Sequence, residues 1–540
     1  MAQSLSVPSR SADQAIDRDL SKAVTLYCHL DIVDRHLATP ALSCITGWIV
    51  TEKGHEVVGL GLRLDDRTVV RCNYPFHRND AGASIALAGS EALIGFNAVL
   101  PERLGFSADR LTFVVLVAAD DGEPRPFSIT LDREIGRTRE FQLTDQSALP
   151  AIPEFTTLAS AEVGPVLEDR LFGHLAGRRH VTLRLDLINK CNLRCVMCHY
   201  SNELFSKRPA QRIAPEQFAT FFDPIAPVTR DVVLSCGDEP LMSPHFETII
   251  RELATRDPEV RIRFCTNGML MSEKIAEAII AANTYMVMFS FDGIRSETLH
   301  RIRVGSDFRR IIKNVVHLKK LRAKSGKPTP RFVFNFVMLE SNIHEAPLFV
   351  KVAKRLGGSY IDFRHVVPFD FYDIEHEMLE HFKPKYNLYR ERIVAAAAAE
   401  GIELYIPPPF DVAARHDPAA DPTANLDEFN ELMRSLGEDP LVDPETAHPV
   451  ETAPRAAVHE SAHFFCDRPF SEVMIREQQD VYPCPWHKEK MGTLDGTTTL
   501  EEIFFGENFR KVRLAMLDPH GAPGCANCPI KSNYLPTRLL

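Results

Sequence analysis

Residues 185–201 read LDLINKCNLRCVMCHYS and place Cys191, Cys195 and Cys198 within eight residues, directly after a run of alternating apolar residues. The alternation is strand-like, so the C-x3-C-x2-C group falls on the loop that leaves a strand. A structural zinc site takes four protein ligands and a disulfide takes two. Three thiolates suit a cubane 4Fe-4S cluster in which the protein holds three irons and leaves the fourth open to a non-protein ligand. A zinc site or a chance cluster is the bland alternative.

Outward from this stretch, residues 178–410 alternate strands with amphipathic helices. The strand candidates are VTLRLDLIN (181–189), DVVLSC (231–236), RIRFCTN (261–267), YMVMFSFDG (285–293), RFVFNFVML (331–339) and YIDFRHVVP (360–368). Between them PHFETIIRELATR, SEKIAEAIIAA, DFRRIIKNVVHLKKLRAK and APLFVKVAKRLG repeat their apolar residues at helical spacing. This order predicts an α/β fold, a partial (β/α)6 TIM-like barrel whose active site lies on the loops after the strands.

The flanking regions read differently. Residues 1–22 form a tail, and 23–150 carry short apolar runs such as CITGWIV, VVGLGLRL, LTFVVLVA and PFSITL, which predict an N-terminal β-sandwich domain. This region is similar to β-sandwich modules attached to some bacterial glycosyltransferases and brings no catalytic residue; Cys28, Cys44 and Cys72 read as small buried residues. Residues 151–177 read as a linker. Residues 411–460 are acidic and proline-rich and read as a linker or lid with one short helix at LDEFNELMRSL, and 461–540 form a small cysteine-containing domain.

A formal net charge of -11 argues against a nucleic-acid partner, because phosphate binding draws on surplus Lys and Arg. No apolar run approaches membrane-spanning length and the N-terminus lacks a secretory pattern, so a cytoplasmic protein without a membrane partner is expected. Seven of the 12 cysteines fall into two ligand-like groups, which points to metal rather than to a disulfide scaffold.

With the barrel pattern, the triple cysteine resembles the radical S-adenosylmethionine (radical SAM) superfamily. The resemblance implies that SAM chelates the open iron of the cluster held by Cys191, Cys195 and Cys198. It further implies SAM contacts on successive strand ends. SCGDEPLMSPHF is similar to the family's Gly-Gly-Glu-Pro loop, either with Cys236 in place of the first glycine and Asp238 inserted before Glu239 and Pro240, or with Gly237 and Asp238 at the glycine pair; Cys236 is a candidate hydrogen donor or an inert thiol. CTNG adds Asn267, SFDG adds Ser290 and Asp292 for ribose hydroxyls, RIRVGSDF adds Arg303 for the SAM carboxylate, and NFVM adds Asn335 near the adenine. Capping of strand ends is the bland reading of Asn267, Ser290 and Asn335. Met197 stands where the family usually has an aromatic residue.

Cys466, Cys484, Cys525 and Cys528 make a second, four-thiolate group, and four thiolates close a metal's coordination shell; structural zinc is the default from spacing alone. The surrounding VYPC, MGTL and TLEEIFFGENFRKVR, with the terminal C-x2-C, are similar to the SPASM domain and imply one auxiliary 4Fe-4S cluster. The resemblance as a whole implies an oxidoreductase-like enzyme that generates a 5'-deoxyadenosyl radical and takes electrons from a flavodoxin- or ferredoxin-type donor. Its expected substrate is a peptide, crosslinked or oxidised; dehydrogenation or epimerisation of a sugar or aminocyclitol is the alternative. A non-catalytic metal-binding scaffold is the alternative of another class.

Overall fold

The computed structural model describes residues 24–35, 42–51, 56–63, 69–77, 93–101, 110–118, 123–132, 138–156, 179–235, 237–367, 373–410, 412, 416–441, 468–476 and 479–516. The chain divides into two compact units, one within residues 1–174 and the other within residues 175–513.

The first unit is built from β1 (Val24–Arg35), β2 (Leu42–Thr51), β3 (Glu56–Arg63), β4 (Val69–Arg71), β5 (Asn73–His77), β6 (Leu93–Pro101), β7 (Arg110–Ala118), β8 (Pro124–Asp132), β9 (Thr138–Leu143) and β10 (Phe155–Thr156). Among the described residues they form two five-stranded sheets, ordered β5-β6-β2-β1-β9 and β10-β4-β3-β7-β8. Val24, Leu26, Cys28 and Leu30 of β1 share one core with Leu111, Phe113, Val115 and Val117 of β7. The period of two sends alternate side chains of each strand to one face, and those faces meet as a β-sandwich. The expected 1–22 tail lies outside the described residues, and the expected linker 151–177 is described only to residue 156, where β10 adds in parallel to β4.

The second unit begins with β11 (Val181–Leu185) and β12 (Arg194–Cys195), then α1 (Pro215–Phe222), β13 (Thr229–Val233), α2 (Phe246–Arg256), β14 (Arg261–Thr266), α3 (Glu273–Ala281) and β15 (Met286–Ser290). There follow α4 (Ser296–Ile302), β16 (Arg303–Val304), α5 (Phe308–Ser325), β17 (Arg331–Met338), α6 (Ala346–Arg355), β18 (Gly358–His365), α7 (Lys383–Glu400) and β19 (Glu403–Tyr405). All six expected strands form, and they pair in parallel in the order β18-β17-β15-β14-β13-β11. This is the partial TIM-like barrel. The structure extends it at both edges: β19 pairs in parallel with β18, and β20 (Glu472–Ile475) pairs in parallel with β11 before β21 (Asp480–Tyr482) and β22 (Gly492–Thr493) continue the sheet. The C-terminal domain thus shares the barrel's sheet.

The two faces of that sheet differ chemically. Leu183, Val232, Ile262, Phe264, Val287, Phe289, Phe334, Phe336, Ile361 and Phe363 are buried in one core with the helices. On the other face stand the polar Arg184, Asp231, Arg263, Ser290, Asn335, Asp362 and Arg364 and the thiol of Cys265, together with a small apolar cluster of Met286, Val333, Tyr360 and Tyr405. A closed barrel fills its interior with branched aliphatics, so a polar inner face marks a space meant for ligands.

Of the expected linker or lid, 411–460, residues 416–441 are folded onto the barrel. The helix α8 (Asp427–Ser435) buries Phe429, Leu432 and Met433 in the barrel core. Glu428 accepts hydrogen bonds from Ser296 N at 2.9 Å and Oγ at 2.5 Å, and Lys319 pairs with Glu438 at 2.7 Å. This part is barrel wall rather than free linker, because its apolar residues at helical spacing need a surface to bury against.

Candidate active site

Cys191, Cys195 and Cys198 lie on the loop after β11. That loop is tied down from two sides: β12 pairs antiparallel with β16, placing Cys195 opposite Arg303, and Arg194 donates to the carbonyls of Cys191 and Leu193 at 2.9 and 2.7 Å. The three cysteines, with Leu193 and Met197, wall one side of a cavity of about 260 Å³. The loop after β13 contributes Ser235, Gly237, Asp238 and Glu239 to the walls, and β14 with its following turn contributes Cys265, Thr266 and Asn267. Ser290 of β15, Arg303 and Val337 of β17 complete it.

Of the residues singled out by sequence, this cavity brings together the three cysteines, Gly237, Asp238, Glu239, Asn267, Ser290 and Arg303. Cys236 lies outside the described residues. Asp292 and Asn335 are not among the walls. Asp292 is fully buried, with Oδ2 2.7 Å from Arg303 Nη2 and Oδ1 accepting from Val337 N at 2.8 Å; Asn335 Nδ2 donates to the Asp362 carbonyl at 3.5 Å. Ser235, Cys265 and Val337 are among the walls that were not assigned from sequence. Strand alternation was the available signal, since each lies an even number of residues from an inward-facing neighbour.

Glu239 clamps two strand ends. It is 2% exposed; Oε1 accepts from Thr266 Oγ1 at 2.7 Å and Leu241 N at 3.2 Å, and Oε2 accepts from Asn267 N at 2.8 Å. Burial lifts its carboxyl to about 7, against the pull of those donors. Asp238 accepts a hydrogen bond from the Tyr200 hydroxyl, Gly237 N donates to Asp186 at 3.2 Å, and Ser290 Oγ lies 3.3 Å from Cys265 Sγ. Arg303 is 8% exposed. Burial works against its charge, but Asp292 together with the sulfurs of Cys195, Cys265 and Cys198 outweighs that and keeps it protonated.

Burial is also the main reason why the protein alone pushes the Cys191 and Cys195 thiols up to about 12 and about 11, and moves Cys198 in the same direction. Donors nevertheless face the sulfurs: Leu193 N at 3.5 Å and Asn267 Nδ2 at 4.0 Å from Cys191, and Arg303 Nη1 at 3.8 Å from Cys195.

Residues 185–349 match the model of the radical SAM superfamily, and residues 466–529 match SPASM, an iron-sulfur cluster-binding domain. The chain carries a radical SAM domain followed by a SPASM domain. The radical SAM match contains all three clustered cysteines, and the SPASM match contains Cys466, Cys484, Cys525 and Cys528. The chain is similar to the AdoMet-dependent heme synthase of Methanosarcina barkeri, 28% identical over 174 residues that make up 32% of this chain and 47% of that one. It is similar to a probable GTP 3',8-cyclase of Methanocaldococcus jannaschii, 27% identical over 183 residues, 34% and 58% of the two chains. The chain spans about half the length of the curated relatives it matches. Among solved structures, Streptococcus suis SuiB bound to S-adenosylmethionine has a TM-score of 0.44 and 13% identity, covering 68% of this chain and 79% of that one.

The radical SAM domain implies a 4Fe-4S cluster and SAM, and the residues present fit them. Among the described residues no three Cys, His, Asp or Glu side chains close on a single metal ion. The three thiols instead share one wall of the cavity, which leaves beside them the room that a cluster several ångströms across requires and a zinc ion does not. Iron supplies the positive charge that favours the thiolates, and the donors facing the sulfurs then stabilise them. The SPASM domain implies auxiliary cluster binding. Of its four cysteines only Cys484 is described; it is buried and receives the backbone N–H of Trp486 and His487.

Proposed function

We propose that this chain is a radical SAM enzyme that removes a hydrogen atom from a substrate C–H bond. The observation that carries the reading is the convergence of three cysteines and the polar ends of β13, β14 and β15 on one cavity at the C-terminal ends of parallel strands. When bound, the cluster and SAM supply one chemistry, reductive cleavage to methionine and a 5'-deoxyadenosyl radical. The protein's part is to hold and to shield. Cys191, Cys195 and Cys198 ligate; Gly237, Asp238 and Glu239 face the SAM ammonium; Asn267 and Ser290 offer hydrogen bonds to its polar groups. Arg303 steadies Cys195 and faces the carboxylate, with Asp292 acting through Arg303 rather than on a ribose. Asn335, Cys236, Cys466, Cys525 and Cys528 keep the roles the resemblance implies.

The finer reading is oxidative or crosslinking modification of a peptide, supported by the SPASM domain, with electrons from a flavodoxin- or ferredoxin-type donor in the cytoplasm. The polar inner face of the strands favours a second substrate class, a sugar or aminocyclitol dehydrogenated or epimerised. Among the described residues no helix is long and apolar enough to cross a membrane.

The test is anaerobic iron-sulfur reconstitution followed by dithionite and SAM. Formation of 5'-deoxyadenosine with about eight irons per chain supports the reading with two clusters. A full iron load without 5'-deoxyadenosine overturns it in favour of a metal-binding scaffold.

A further inference from the structure

On β18 and β19, four polar side chains stand beside the cavity without belonging to its walls. Tyr360, Asp362 and Arg364 are spaced two apart on β18, so all three face the barrel interior. The parallel register carries Ser290 to Asn335 and on to Asp362, and sets Val337 opposite Arg364. Ser290 and Val337 are cavity walls, so Arg364 lies one strand away from the space they enclose. Tyr405 of β19 is opposite Asp362 and is buried.

Within this group Arg364 is held and still open. Its Nε and Nη2 both meet Asp362 Oδ2, at 2.7 and 2.6 Å, which fixes the plane of the guanidinium without using Nη1. About a third of the side chain, 34%, remains accessible, while Asp362 is 1% exposed. Asp362 Oδ1 and the Tyr360 hydroxyl are buried with no hydrogen-bond partner among the described residues. Buried polar groups are normally paired, and pairs left open at a site are completed by what binds there. The charge of Arg364 reaches Cys265, a wall of the cavity; burial works against that charge, and Asp362 beside it holds the guanidinium protonated.

The geometry points to Arg364 as a substrate-binding residue that takes a carboxylate or phosphate group of the substrate, with Asp362 as the positioning residue behind it. A planar guanidinium locked in orientation and one-third exposed recognises such oxyanions through parallel hydrogen bonds, which a lysine ammonium does not reproduce. The inference rests on reading the adjoining cavity as the radical-generating site. It narrows both substrate classes to members that bear an oxyanion, the side-chain carboxylate of a peptide or the phosphate of a sugar.

Full-length, iron-loaded protein with SAM is titrated anaerobically by calorimetry with glucose 6-phosphate and with N-acetylglutamate amide. Glucose and N-acetylglutamine amide serve as neutral controls. One anion is expected to bind at least about tenfold more tightly than its neutral partner, and Arg364→Met is expected to lose about that factor. Arg364→Lys, which keeps charge and length, covers the case in which Arg364→Met does not fold, and it should lose affinity as well. Asp362→Asn should weaken binding several-fold with the circular dichroism spectrum unchanged. Binding of the phosphate identifies a sugar-type source and binding of the glutamate a peptide source; either supports the inference. Equal affinity of wild type, Arg364→Lys and Arg364→Met, or binding of neither anion at about 10 mM, overturns it. The same preparation assayed for 5'-deoxyadenosine separates the two readings: anion binding without SAM cleavage removes the radical chemistry, and cleavage without anion binding removes the subsite.

Discussion

Asp292→Asn tests how the walls of the site are held together. The carboxylate is fully buried; one oxygen accepts from Val337 N at 2.8 Å and the other lies 2.7 Å from Arg303 Nη2. An amide keeps the volume and one oxygen for Val337, but turns an NH2 donor toward Arg303, so the substitution removes both the charge and the acceptor that Arg303 Nη2 uses. Arg303, 8% exposed, is then left with the Cys195 sulfur at 3.8 Å as its remaining contact on this side. Removing one partner of a buried ion pair costs about 3–5 kcal/mol, whereas an exposed pair is worth about 0–1 kcal/mol. Because the sulfur stays in reach, the lower end applies, a loss of about 3 kcal/mol. At about 2–4 °C per kcal/mol, differential scanning calorimetry of the iron-free protein should show the transition of the barrel fall by about 6–12 °C. Arg303→Met strands the carboxylate instead and should cost a similar amount. The double variant leaves no unpaired charge and should recover at least about 2 kcal/mol relative to the sum of the singles. Single losses below about 1 kcal/mol, or a double variant equal to the sum, would refute the argument that this pair locks the Cys195 segment to β17.

The remaining expectations are more local. Cys191→Ala, Cys195→Ala and Cys198→Ala should each cost about four irons per chain and all 5'-deoxyadenosine formation while far-UV dichroism is retained; unchanged iron in the three variants would disprove their ligand role. Asp421, held below the usual carboxylate range by Lys385, Tyr389 and His416 against the cost of burial, should lose about 1–3 kcal/mol on conversion to Asn. A depressed value means that its stabilisation is present above the ordinary carboxylate range and is lost as pH falls through the depressed value. The wild-type advantage in urea melts should therefore be full at neutral pH and vanish in strong acid. Gly268→Ala places a Cβ 3.1 Å from Ile311 Cγ2 at a φ of +75°, and should destabilise the barrel by about 1–3 kcal/mol in the same melts. Thr499→Ala removes one half of a reciprocal cap with Glu502 and should cost about 1 kcal/mol, read as faster local amide exchange at the start of the helix at Leu500–Phe504.

The barrel strands were legible because each alternates strongly. In RFVFNFVM the outward Phe332, Phe334 and Phe336 are fully buried, while Asn335 turns inward. Sequence reading missed β19, which at three residues is too short to carry a period. The pairing of β20 with β11 sets Thr182 against Glu472, and no local pattern records a partner so distant in the chain. At the site, cysteine spacing and strand-end motifs named most of the cavity walls, because ligand chemistry constrains residue type at fixed positions. The motifs did not reveal that Asp292 faces Arg303 instead of a ligand, since the same carboxylate suits either partner and only the three-dimensional packing decides between them.

Arg364 shows what the alternation held beyond strand assignment. A parallel strand covered on both faces reads as a continuous apolar run. None of LRLD, RFCT, FNFV or IDFR does so: each breaks the apolar run with at least one polar side chain on the inner face, Arg184, Arg263, Asn335, or Asp362 with Arg364. Helices cover one face, so the other must meet water or a ligand, and IDFR makes Asp362 and Arg364 part of that inner surface. The pairing of Arg364 with Asp362 then orients the guanidinium without hiding it, since a third of it remains open. A polar interior is thus the expected consequence of these strand sequences once their parallel order is known, and Arg364 is where that interior presents a fixed, accessible cation beside the cavity.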